Sequence, residues 1–251
     1  MYKLKNLYTY FGVIGILSAF LTACDREPSP QVTLAEAGEY IALAIGKYIT
    51  YRVDSIYYYE TIENDTIHVE IKEVITDTFR DGSNKLNYSY QRFSRPAGGS
   101  DWNLVGTGVF SENGNSIEKV EDNLRYIKLV SPVSVNLEWN GHAYLGGLAS
   151  IPVEQSCNNL QFLEGWNFKY ASVNAAETIG DFHFDAVVTV EQNGSQNLIE
   201  FNQSIEKYAK GIGMVYRFFR HYTTQNICPE CIWEENTECG YSVKMTVIDY
   251  N

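Results

Sequence analysis

The 251-residue sequence is short of the residues that usually announce a chemistry. Its four histidines, His68, His142, His183 and His221, are scattered without metal-ligand spacing, so no metal site is expected. No Gly-x-Ser-x-Gly stretch occurs, which removes the common hydrolase elbow. Lys210-Gly-Ile-Gly213 is too short to cradle a nucleotide, and a turn or bulge accounts for its glycines. Basic residues number 19 against 31 acids, for a net charge of −12. Phosphate backbones require clustered Lys and Arg, so nucleic acid is excluded as a partner. In so acidic a chain, pairs such as Glu234-Glu235 and Glu121-Asp122 read as solvated faces rather than as glycosidase carboxylates. No catalytic residue and no cofactor is therefore assigned, and a non-enzymatic protein is expected. Only six prolines and no low-complexity tract occur, so the chain reads as globular.

The apolar run Phe11–Leu21 is too short to span a bilayer as a helix. It follows Lys3 and Lys5 and closes on Leu21-Thr-Ala-Cys24, the order of an export signal over residues 1–23. That ending resembles the lipobox of bacterial lipoproteins. The resemblance implies that Cys24 takes a diacylglycerol and further acyl chains such as palmitate, with the membrane as partner through this lipid. The expected location is the cell envelope, at the outer membrane. Several acyl chains on one residue make a stable anchor, whereas one holds only marginally. Residues 24–38 are expected to form a tether: Asp25–Thr33 is polar, carries two prolines and has little to bury. Loss of residues 1–23 removes two lysines and no acids, leaving a charge of −14, which argues against electrostatic adhesion to anionic lipid.

Residues 39–251 carry most of the 19 Tyr, 12 Phe and 4 Trp, types that favour strands. Strands are expected at 48–59, 68–76, 86–93, 103–110, 125–130, 166–173, 185–192, 197–201, 214–223 and 241–250, between Gly, Asn and Asp clusters. Asn193-Gly194 is the strongest hairpin signal, and Thr33–Tyr40 the one short helical candidate. This pattern predicts an all-β fold, an antiparallel sandwich or barrel-like domain. Gly46-Lys-Tyr-Ile-Thr-Tyr51 is echoed by Gly165-Trp-Asn-Phe-Lys-Tyr170, so two related β half-domains, 39–150 and 151–251, are an alternative to chance similarity.

Tyr40–Tyr57 resembles the opening of uncharacterised Bacteroidota envelope lipoproteins. Pro132 with Trp139-Asn-Gly141, Glu177-Thr-Ile with Phe182–Ala186, Tyr208–Tyr216 and Gly240–Asp249 resemble their later segments. The resemblance implies a β-rich lipoprotein of unknown activity. Asp54-Ser55-Ile56 and Asp65-Thr66-Ile67 are similar to the short sequence at which such bacteria O-glycosylate exported proteins; plain strand and turn residues are the alternative for Ser55 and Thr66.

Four cysteines remain after Cys24, an even number that in an exported chain suggests two disulfides. Cys231–Cys239 and Cys157–Cys228 form one of three possible pairings. Cys228-Pro-Glu-Cys231 as half a zinc site is the sharper alternative, disfavoured because thiols outside the cytoplasm oxidise. Trp102, Trp139 and Trp233 lie in or beside polar segments and are candidates for stacking on a sugar. The expected function is a binding or structural domain whose partner is a glycan or an envelope protein; the alternative is a carbohydrate-binding surface lipoprotein of a glycan-uptake system.

Overall fold

A computed structural model describes residues 34–60, 63–152 and 159–251. Cys24 and Cys157 lie outside the described residues. The residues from Leu34 onward form one compact, all-β unit. Its strands are β1 (Tyr48–Tyr58), β2 (Asp65–Arg80), β3 (Leu86–Pro96), β4 (Asn103–Asn113), β5 (Ser116–Glu121) and β6 (Leu124–Val130). A second series follows: β7 (Glu138–Trp139), β8 (Phe168–Ile179), β9 (Phe182–Gln196), β10 (Glu200–Ala209), β11 (Gly213–Thr223) and β12 (Cys239–Tyr250).

All twelve belong to one antiparallel sheet in the order β6-β5-β4-β3-β2-β1-β12-β11-β10-β9-β8-β7. Each series is a meander, and β1 joins them by pairing with β12 from Ile49↔Tyr250 to Tyr58↔Gly240. The sheet curls into a nearly closed barrel, and side chains tie its two edges. Ile127 N donates to Gly141 O at 2.9 Å, and Trp139 Nε1 donates to Ile127 O at 3.0 Å. The Tyr170 hydroxyl accepts from Val130 N at 2.8 Å and donates to Val130 O at 2.7 Å. Edge groups that would otherwise offer a template for another chain are thus partly satisfied. Gly141 makes the approach possible, since a Cβ there would sit 2.2 Å from the Phe168 ring.

The alternation places the barrel in register. Tyr51, Val53, Val188, Val190 and Phe219 are buried among the core clusters, as period-2 patterning demands. The echoed glycines, Gly46 and Gly165, both adopt positive φ just before β1 and β8, and the tyrosines that close each echo, Tyr51 and Tyr170, are both buried. Ala35 bridges Val133, and the following 3-10 turn, Ala37–Tyr40, buries Ala37 and Tyr40 in the core. This segment, the expected short helix, closes one end of the barrel: Ala37 N donates to Ser131 Oγ and Ala42 N to Ile212 O. That end, with the β6–β7, β8–β9 and β10–β11 turns, is the lower rim. The β5–β6 turn, the 140–167 connection and the β9–β10 and β11–β12 turns make the upper rim.

Three sequence expectations change. Asn193-Gly194 is not a hairpin turn but lies inside β9, next to a bulge at Gln192 where pairing steps from Ser204↔Asn193 to Ile205↔Glu191; the turn falls at 197–199, where Asn197 Oδ1 accepts from Ile199 N and Glu200 N. The strand expected at 197–201 is consequently β10, beginning at Glu200 and running to Ala209. Cys228 bonds to Cys231, so of the three possible pairings the one joining Cys231 to Cys239 and Cys157 to Cys228 is not formed; the two Cα atoms lie 5.4 Å apart across a short turn in which Cys231 N donates to Cys228 O.

Candidate functional site

The barrel interior is not uniformly apolar. β10 turns Asn202, Ser204, Glu206 and Tyr208 inward, all buried, while Phe201, Gln203, Ile205 and Lys207 between them are only half-buried. This is the reverse of the usual apolar-in pattern. Facing strands answer with charges of their own: Glu73 on β2, Arg92 on β3, Lys119 and Glu121 on β5, Lys128 on β6 and Arg217 on β11.

These groups form a layer across the barrel. Lys119 Nζ donates to both Glu73 oxygens at 2.9 and 3.0 Å, and Arg92 donates to Glu73 at 2.7 Å and also to Glu121. Lys128 Nζ donates to Glu206 Oε1 at 2.6 Å, and the Tyr208 hydroxyl donates to Glu206 Oε2 at 2.5 Å. Burial raises the Glu73, Glu121 and Glu206 carboxyls, but the adjacent cations outweigh it and hold all three below the ordinary carboxylate range. Burial and the neighbouring Arg217 pull Lys128 down against the attraction of Glu206.

Arg217 is the exception in this layer. Its Nε lies 3.8 Å from Glu206 Oε1, beyond hydrogen-bond reach, and is buried without a partner. The layer sets four cations against three carboxylates; Glu206 and Glu121 both attract Arg217, and Glu206, the nearer, already serves Lys128 and Tyr208.

Below the layer is a narrow space of about 60 Å³, lined in part by Tyr51, Tyr90 and Met214. Above it, toward the upper rim, is a chamber of about 570 Å³. Glu121, Lys128 and Arg217 line both spaces and so partition them. Six rings line the chamber, Tyr126, His142, Trp166, Phe168, Phe219 and Tyr241, beside the charged Glu121, Asp122, Lys128 and Arg217. Phe219 packs on Tyr241 at 4.9 Å and His142 edge-on to Phe168 at 5.0 Å. His142 Nδ1 donates to Leu163 O at 3.0 Å, and burial takes the ring down to about 4, so it is neutral at pH 7. Gln192 also faces the chamber; its Oε1 accepts from Ser204 Oγ at 2.6 Å, while its buried Nε2 has no partner. A few placed polar groups in a ring-lined concavity of this size are the ordinary make-up of a small-molecule site.

No protein-family model and no curated protein sequence matches the chain. Among solved structures, a chain from Parabacteroides distasonis ATCC 8503 described as a "putative lipoprotein" is similar, with 9% identity and a TM-score of 0.31, over 84% of this chain and 98% of that one. A likeness at that TM-score bears on neither fold nor function.

The residues singled out from the sequence fall elsewhere. Trp139 packs on Phe168 at 5.9 Å and Tyr170 at 4.6 Å at the sheet closure, with its N–H satisfied. Trp102 lies under the Arg95 guanidinium at 4.3 Å, and Trp233 sits on a single helical turn against Phe201 at 5.7 Å. No ring contact joins any two of the three among the described residues. The tryptophan that does line the chamber is Trp166, which strand patterning had assigned to structure. Ser55 is buried in β1 between Ile67 and Val243, whereas Thr66 is exposed on β2. Cys228 and Cys231 form their own short loop, and Cys239 opens β12, its carbonyl accepting from Thr223 Oγ1 at 3.0 Å. No cluster of three or more His, Cys, Asp or Glu with metal-holding geometry occurs among the described residues.

His68 on β2 and His183 on β9 are half or more exposed. His142 and His221 are the buried pair, and the sequence carried no sign of it. The charged layer was equally hidden, since its members span positions 73 to 217. The one available signal was a charge at the inward parity of an otherwise aromatic strand, as in Tyr90-Gln-Arg92.

Proposed function

We propose that this chain is a lipid-anchored envelope protein of non-enzymatic type whose barrel interior binds one small organic molecule. The observation that carries this is the ring-lined chamber of about 570 Å³ with unpartnered donors in its wall. Rings give an organic body its contact area, and the placed donors give it an orientation. The anchor rests on the lipobox-like ending at Cys24 and on a polar tether, and the outer membrane is the membrane proposed. Residues 34–44 enter the barrel at the rim opposite the chamber.

A neutral fluorescent probe, N-phenyl-1-naphthylamine, tests the chamber. The expected result is saturable binding at one site per chain, lost in Leu160→Trp, where the half-exposed Leu160 lines the chamber and a larger ring fills it. Binding that is unsaturable, or equal in both proteins, would remove the chamber as a site. Labelled palmitate reports on the anchor separately: incorporation in the natural chain and none in Cys24→Ser is expected, and label retained in Cys24→Ser contradicts the assignment.

A further inference from the structure

Granting that the chamber is a binding site, its wall carries a polarity that specifies the occupant. At its floor stands Arg217, with 29% of its side-chain surface open. The nearest carboxylate, Glu206, is 3.8 Å away and already accepts from Lys128 at 2.6 Å and Tyr208 at 2.5 Å. Glu206 and Glu121 keep the guanidinium charged, but neither accepts a hydrogen bond from it. A guanidinium offers two parallel N–H groups that suit a planar carboxylate. Glu121, Asp122 and Lys128 are the other charged groups of the wall, engaged in the ion pairs of the layer, and the rings of Phe219, Tyr241, Trp166, Phe168 and Tyr126 make its apolar part. Nearer the upper rim, Gln192 Nε2 is a second buried donor without a partner; its strand position, beside Ser204, places it one inward residue above Glu206.

We infer that the chamber takes a monoanionic organic acid: a carboxylate set against Arg217, an apolar or aromatic body against the rings, and an acceptor oxygen further up within reach of Gln192. A guanidinium fork suits a single planar carboxylate, and the acids Glu121 and Asp122 in the same wall disfavour a doubly charged phosphate monoester. The bound carboxylate supplies the hydrogen bonds that Arg217 lacks within the chain, so acid and barrel stabilise one another.

Three probes of equal chain length, decanoate, 1-decanol and decyltrimethylammonium, separate the contributions by calorimetry on the natural chain. Decanoate is expected to bind at least tenfold tighter than decanol, with no saturable binding of the ammonium. In Arg217→Gln, decanoate should fall to the affinity of decanol while decanol itself is unchanged. Equal affinity for decanoate and decanol, preference for the ammonium, or failure of all three overturns the acid assignment. Because the neutral naphthylamine reports on the chamber independently, its continued binding in those cases leaves the chamber standing, whereas its failure removes both. The comparison of the three probes needs no variant, so it decides even if Arg217→Gln fails to fold.

Discussion

Glu206 is the residue on which the interior depends most. It is wholly buried, yet accepts from Lys128 and Tyr208 and stands closest to Arg217. Glu206→Gln keeps the shape but leaves two buried cations without their carboxylate, and a cost of about 3–5 kcal/mol in urea unfolding is expected. Adding Lys128→Met should recover part of that loss, because the second substitution removes one of the stranded charges; equal stability of Glu206→Gln and the natural chain would contradict the role. The two buried histidines make a separable prediction. Burial lowers both His142 and His221 from 6.5 to about 4. A ring with a depressed value binds its proton in the unfolded chain first, so its contribution to stability is complete above pH 6.5 and lost as pH falls toward 4. Each contributes on the order of 3 kcal/mol over that window. Melting temperature should therefore drop between pH 6.5 and 4, and the drop should shrink by roughly half in His221→Phe.

At the scale of elements, the closure of the sheet and the segment beneath it govern stability. Gly141 lies against Phe168 where β6 meets the chain after β7, so Gly141→Ala must displace a buried ring and loosen the Ile127–Gly141 contact. A loss of about 2–3 kcal/mol is expected from urea unfolding, against less than about 0.5 kcal/mol for a substitution at an open glycine such as Gly106. Most strands were legible because β-branched and aromatic residues alternate between turn clusters. Their ends were not, because bulges at Ser204/Ile205, Ile75/Asp77 and along β8 carry pairing past the point where simple alternation fails. β5, Ser116-Ile-Glu-Lys-Val-Glu121, escaped notice for a different reason: two of its six residues are the inward charges Lys119 and Glu121. The charged layer could not be seen at all, since Glu73, Lys119 and Glu206 become neighbours only through the register of a closed sheet. Asn193-Gly194 misled because its composition fits a tight turn equally well as a strand beside a bulge.

Over the whole molecule, two meanders share one sheet, a charged layer divides its interior, and the larger space opens toward the rim opposite the one at which residues 34–44 enter. The chain's net negative charge repels anionic surfaces, while Arg217 inside the barrel offers an unpartnered donor to a single anion. The most direct test places a heavy atom in the chamber. Crystals grown with 10-bromodecanoate should show one strong bromine anomalous peak per chain among Trp166, Phe219 and Tyr241, with the carboxylate density on Arg217. A chamber without bromine, or peaks confined to the outer surface, would contradict the assignment of the barrel interior as the binding site.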